Sequence, residues 1–213
     1  MIHFNQLHVG YRGQAITAIP DGELTAGSMT ALTGANGSGK STLLKTLAGV
    51  IAPVSGSCLI SVPASAIGWL PQRSELEIRF PLTVYELVAT GCWPRCGWFG
   101  GLNRALRKEI DAALDAVQMR AFADAQPAML SGGQLQRILF ARLLMQQSRV
   151  WLLDEPFSAI DASTVTLLMA LLRQQQQQGT TLLVVLHDRP LVSRYFSAEL
   201  SLDRTTTSAQ VTS

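Results

Sequence analysis

The 213-residue chain has little of what marks a secreted, membrane-spanning or nucleic-acid-binding protein. It carries three cysteines, Cys58, Cys92 and Cys96. An odd number of thiols, in a chain long enough to build its own core, argues against a disulfide framework and for a reducing compartment. The longest apolar segments, such as "TLLVVL" at Thr181 to Leu186, fall far short of the roughly 20 residues that cross a bilayer. The start, "MIHFNQLHVGYRG", lacks the basic residues and unbroken apolar run of a signal peptide. Seventeen basic residues against fifteen acidic ones leave a net charge of +2, so no broad electrostatic footprint for nucleic acid is expected. These absences predict a cytoplasmic chain, linked to any membrane only through a partner.

What is present is a foldable composition, 47% hydrophobic and 15% charged, at a length that suits one domain with two lobes. Ile2 to Val9 alternates apolar and polar residues and predicts a strand, followed by a turn at "DGELTAGS". "MTALTG" predicts a short buried strand, "KSTLLKTLAGV" a helix, "APVSGS" a turn and "SAIGWLPQ" another strand. From about Glu75 to Met145 the pattern turns helical, through "TVYELVATG", "RALRKEIDAALDAVQM" and "QLQRILFARLLM". "VWLLDEP" is then a buried strand running into two acids, "ASTVTLLMALLRQQQQQG" a helix stopped by Gly179, "TTLLVVLHD" a strand and "RPLVSRYF" a short helix. "AELSLDR" predicts a last strand before a polar tail. Strands alternating with helices at both ends imply an α/β fold with a mostly parallel sheet, and the middle block reads as a helical insertion.

Chemistry concentrates at a few places. "GANGSGKST", Gly34 to Thr42, fits G-x-x-x-x-G-K-[ST] between a predicted strand and a predicted helix. Glycines there let backbone N–H groups converge on phosphate oxygens, Lys40 reaches the outer phosphates, and the Ser41 hydroxyl can ligate Mg²⁺. Asp154 and Glu155 sit at the C-terminal end of a buried strand, the edge where open α/β sheets bind ligands. One carboxylate there can hold Mg²⁺, and its neighbour can accept a proton from attacking water. In "LSGGQLQR", Ser131 and Gln134 form a capping box, S-x-x-Q, for the helix that follows. The box leaves Gly132 and Gly133 unexplained, since each weakens the first turn by about 1 kcal/mol relative to alanine. Cys92 and Cys96 are spaced C-x-x-x-C with no other Cys or His nearby, so a four-ligand zinc site is not expected.

Taken together, the phosphate loop, "LSGGQ", "LLDEP", "SAID" and "LHD" resemble, in order and spacing, the nucleotide-binding subunits of ATP-binding-cassette (ABC) transporters. The resemblance runs from Tyr11 to His187. It implies a P-loop NTPase with a RecA-like core, an N-terminal antiparallel β part and an inserted helical lobe. The lobes are expected at 1–75 with 147–213, and at 76–146. By the same resemblance Tyr11 stacks on adenine, and Gly34, Ala35, Asn36, Gly37, Ser38, Gly39, Lys40, Ser41 and Thr42 bind the phosphates. Ser41, Gln72 and Asp154 hold Mg²⁺, partly through water. Glu155 is the base, and Gln72 links the Mg²⁺ and water site to the helical lobe. His187 contacts the γ-phosphate. Leu130, Ser131, Gly132, Gly133 and Gln134 form the signature that faces the ATP of a second copy in a head-to-tail dimer. Ser158 to Asp161 reaches across that dimer, with Ile160 where the family usually has leucine.

The resemblance implies ATP and Mg²⁺ as cofactors and an integral membrane permease as partner, with an extracytoplasmic substrate-binding protein expected beside it. The Trp-, Phe- and Gly-rich segment "PLTVYELVATGCWPRCGWFGGL" resembles the zinc and manganese uptake branch and its siderophore- and haem-uptake relatives. An importer on the cytoplasmic face of the cell membrane is therefore expected. Rival readings are a soluble ABC ATPase of translation or DNA repair, a P-loop kinase or switch, and a non-hydrolysing regulatory subunit. The single cassette, the near-neutral charge, "LSGGQ", Glu155 and His187 weigh against them.

Overall fold

The computed structural model describes residues 1–72, 81–96 and 101–202. The expected start of the helical lobe at 76–80, part of the Trp-rich segment at 97–100 and most of the polar tail lie outside them. The described chain divides into two compact units. The first holds Met1–Gln72, Arg149–Pro156 and the described residues from Gln175 onward. The second holds the described residues between Gln72 and Arg149, together with Phe157–Gln174.

Two sheets build the first unit. Strand β1 (Ile2–Tyr11) pairs antiparallel with β2 (Gln14–Ala18), β3 (Gly22–Leu24) and β5 (Ser55–Ile60). The second sheet has the order β6 (Ile67–Leu70), β7 (Val150–Leu153), β8 (Thr181–Val185), β4 (Met29–Thr33), β9 (Ala198–Ser201), and every pairing in it is parallel. Strands β4, β7 and β8 are buried at every residue, which is why they read as continuous apolar runs and not as alternating ones. Leucines of helix α1 (Lys40–Leu47) pack between the sheets, against Ile2, Leu7 and Val9 of β1 and Leu152, Leu183 and Val185 of the parallel sheet.

In two places the chain is more extended than its composition predicts. "DGELTAGS" and "APVSGS" have the composition of turns, yet β3 lies inside the first and β5 begins inside the second. Pairing with β1 overrides their weak local preference. The last parallel strands end in line, so β6, β7 and β8 deliver Gln72, the acids and His187 to one edge.

The second unit is helical: α2 (Val84–Ala89), α3 (Trp93–Cys96), α4 (Arg104–Ala116), α5 (Gly132–Gln146) and most of α6 (Ala162–Gln177). Thr83 and Glu86 close a capping box on α2, and Asn103 caps α4. Gly91 lets the end of the α2 segment approach the α5 backbone, where an added Cβ would lie 2.2 Å from the Arg142 carbonyl. The Arg142 guanidinium donates to the Thr90 hydroxyl at 2.8 Å, and Cys92 is buried beside this contact region. Residues 157–174 group with this unit, whereas the sequence division set them in the core lobe. The N-terminal turn of α6 is hydrogen-bonded to α5, as described below. In the first unit, α7 (Arg189–Tyr195), capped by Asp188, follows β8.

Candidate functional site

The phosphate loop begins where β4 ends. The chain turns at Gly34 and enters α1 through Gly39, the helix N-cap, whose φ of +97° lies in the left-handed region. Gly39 also needs its missing side chain: a Cβ there would stand 2.5 Å from Thr17 Cγ2 on β2. No side chain caps α1, so the N–H groups of its first turn are open to a ligand. Lys40 is 6% exposed, and its ammonium donates to the carbonyls of Gly34 at 2.9 Å and Ala35 at 2.8 Å. The loop is thus wrapped around one buried cation. Ser38 Oγ, also buried, has no hydrogen-bond partner, an orphaned polar atom in the loop wall.

The acids follow β7. Strand β7 ends at Leu153, one residue before Asp154, whose N–H donates to Leu70 O at 2.9 Å and so continues the β6 ladder. Asp154 is 2% exposed. At Glu155 the backbone enters the left-handed region with φ +48°, a conformation that costs a non-glycine residue roughly 1 kcal/mol or more. The Glu155 carboxylate is held from both flanking strands: Gln72 Nε2 donates to Oε2 at 3.3 Å, and His187 Nε2 lies 2.9 Å from Oε1.

These residues meet in a cleft of about 620 Å³, lined by Ile16, Asn36, Gly37, Gly39, Lys40, Ser41, Thr42, Gln72, Glu155 and His187. Its size lies within the range of small-molecule sites. Its chemistry suits a polyphosphate: an ammonium and helix N–H groups stand on one side, a carboxylate and an imidazole on the other. Ser41, Gln72 and the nearby acids supply oxygen donors, the kind a small hard cation takes. Of the expected residues, Tyr11 is 45% exposed at the end of β1 and does not line this cleft. Asp154, Ser38, Gly34 and Ala35 do not line it either; Asp154 and Ser38 are buried. Ile16 and Thr17, on β2, were not anticipated from sequence, because the turn-rich stretch around them hides the strand that brings them to the loop.

The remaining motifs lie in the second unit. Ser131 caps α5: its Oγ accepts from Gln134 N at 3.3 Å, and Gln134 Oε1 accepts from Ser131 N at 2.9 Å, the reciprocal box expected from S-x-x-Q. Leu130 is half-buried just before the cap. A Cβ on Gly133 would lie 3.1 Å from Asp161 Oδ2 and 3.2 Å from Thr164 Oγ1, so α5 and the start of α6 meet closely here. Ser158 is exposed. The Asp161 carboxylate caps α6, accepting from Thr164 N at 2.9 Å, Thr164 Oγ1 at 2.8 Å and Ser163 Oγ at 2.5 Å. These bonds, the Ser163 hydroxyl first, hold its carboxyl well below the usual range.

The ABC transporter family profile matches residues 20–158, more than half of the chain. The chain belongs to the ABC transporter family. As an ABC ATPase it is 40% identical over 190 residues to the manganese transport system ATP-binding protein MntB of Listeria monocytogenes, covering 85% of this chain and 78% of that protein. Identity to the zinc transport system ATP-binding protein TroB of Treponema pallidum is 35% over 207 residues, covering 95% of this chain and 78% of the relative. Among solved structures, a protein assigned to the metal-chelate type of ABC transporter, in an inward-facing conformation, superposes with TM-score 0.84 at 28% identity. That match covers 96% of this chain and 80% of that one. An ATP-binding cassette solved as a dimer in a post-hydrolysis state with ADP and Pi superposes with TM-score 0.80 at 26% identity, covering 94% of both chains. The ABC fold is therefore this chain's fold: a P-loop core with a parallel sheet, an antiparallel β part and an inserted helical unit. Among the described residues, no helix is long and apolar enough to cross a membrane.

Proposed function

We propose that this ABC ATPase powers a membrane importer of manganese, zinc or a metal chelate. It binds a separate integral permease at the cytoplasmic face and works as a head-to-tail dimer. The reading of the cargo rests on likeness to manganese and zinc transport ATP-binding proteins and to a metal-chelate transporter. An extracytoplasmic protein would deliver the cargo to the permease. The observation that carries the catalytic reading is Glu155, held between Gln72 and His187 at the edge of a cleft floored by Lys40.

In this reading Gly34 to Thr42 cradles the phosphates with backbone N–H groups, and Lys40 exchanges its two carbonyl partners for phosphate oxygens. Tyr11 and Ile16 flank the base and ribose. Ser41, Gln72 and Asp154 would hold Mg²⁺, and the bound ion would neutralise charge on the phosphates. Glu155 orients water in line with the γ-phosphate and accepts its proton. His187 leaves the carboxylate to donate toward the γ-phosphate, where charge develops. Ser131, Gly132, Gly133 and Gln134 present a helix N-terminus to the ATP of the partner chain, and Ser158 and Asp161 lie along the same face. Contacts made only in the closed pair favour closure when ATP binds, and hydrolysis removes them.

Glu155→Gln tests this directly. The variant is expected to bind ATP, to accumulate as a dimer and to hydrolyse roughly 10²-fold or more slowly. Ordinary turnover would remove Glu155 from the role of base. Co-purification with a permease, and stimulation of ATPase activity by a manganese- or zinc-loaded binding protein, tests the transport reading. Purification with ribosomes or DNA instead would end it.

A further inference from the structure

The signature turn and the Ser158–Asp161 loop lie 24 residues or more apart in the chain, yet in the second unit they share one hydrogen-bonded corner. Thr164, 1% exposed, stands at its centre. Its hydroxyl donates to Asp161 Oδ2 at 2.8 Å and accepts from Arg137 Nε at 3.2 Å and Nη2 at 2.9 Å. A guanidinium can only donate, so the single hydroxyl proton of Thr164 is committed to Asp161. The chain of bonds therefore has one direction, from Arg137 on α5 through Thr164 to Asp161. Gly133, one helical turn before Arg137, leaves room for this corner, because a Cβ there would crowd both Asp161 and Thr164. Ser131 and Gln134 cap α5 without help from Arg137, so the arginine is not needed to start its own helix.

We propose that Arg137 and Thr164 are positioning residues that lock the N-terminus of α5 to that of α6, so the signature turn and the Ser158–Asp161 loop meet the partner chain as one rigid surface. This rests on the ATP-driven dimer proposed above. Neither side chain touches nucleotide. Each acts through the geometry it imposes on Gly133 and Asp161. A fork of two donors onto one oxygen is a task for arginine and not for lysine.

The test uses the full chain in a Glu155→Gln background, with ATP-driven dimerisation read by analytical ultracentrifugation. Thr164→Val and Arg137→Lys are expected to weaken dimerisation roughly tenfold, the loss of one charge-assisted bond. ATP affinity of the dilute monomer should stay unchanged, and Thr164→Ser, which keeps the hydroxyl, should dimerise like its parent. A merely structural role would lower monomer affinity and melting temperature together and would not follow the hydroxyl. Should Thr164→Val fail to fold, Arg137→Lys at its half-buried position carries the same measurement. Dimerisation unaltered in the variants overturns the positioning role alone. A Glu155→Gln parent that stays monomeric with ATP overturns the dimer reading and this proposal with it.

Discussion

Helices α1 and α5 both have glycine at their start, as the N-cap of one and the first residue of the other, and they begin differently. At α1 the N-cap is Gly39, and no side chain reaches the first turn. At α5 the first turn is closed on itself by Ser131 and Gln134. An uncapped helix start costs stability unless something satisfies its N–H groups, and around α1 the buried Lys40 and a polar cleft are arranged for a polyphosphate. The α5 start is satisfied by its own side chains. In the dimer proposed above, that closure keeps the shape of a surface offered to the partner's nucleotide.

Substitutions at the two helix starts should cause graded losses. Lys40→Ala should have the largest effect, a fall of roughly 10²–10³ in phosphate release, since it removes the one buried cation of the loop. Retention of a tenth of the activity would mean that α1 is no more a ligand site than α5. Gly39→Val comes next. Its backbone conformation and the contact with Thr17 predict about 2 kcal/mol of destabilisation, read by chemical denaturation, together with weaker ATP binding by the monomer. Ser131→Ala should cost about 1 kcal/mol through the lost cap and should leave monomer ATP binding intact while turnover drops. If monomer binding fell instead, α5 would be serving its own chain.

The smallest effect is expected at a pair that belongs to neither helix start. Thr33 Oγ1, just before the loop, donates to Glu199 Oε1 at 2.5 Å, and Arg189, two residues past His187, donates to the same oxygen at 2.6 Å. Both charged groups are partly exposed, so Glu199→Gln should lower stability by no more than about 1 kcal/mol, and by less in high salt. A large loss of turnover would make this pair part of the site.

Local signals made some of this readable in advance. Strands β4, β7 and β8 are buried throughout and mostly apolar, and Gly34 to Thr42 carries its spacing on its face. The Ser131–Gln134 box was legible for the same reason: its two partners lie three residues apart. Strands β3 and β5 were not, because Gly22–Leu24 and "SGSC" are extended only through pairing with β1. The placement of Ile16 and Thr17 beside the loop depends on that same sheet. Asp161 followed by Ser163 and Thr164 is a readable cap signal. Arg137 finding Thr164, 27 residues along, is a product of tertiary packing that no local pattern announces.

Strand β8 lies between the strand that leads into the loop and the strand that leads into the acids, and His187 follows two residues after it. Its members are Thr, Leu, Leu, Val and Val, all buried, and one aliphatic side chain there can largely stand in for another. The count of residues cannot be traded in this way. One added or removed between Thr181 and His187 would slip the pairing with β4 and β7 or turn the imidazole to the opposite face. For this segment, tolerance is a matter of chain length before it is a matter of composition. A single-residue deletion is therefore expected to do more harm than a conservative exchange at each of its buried positions.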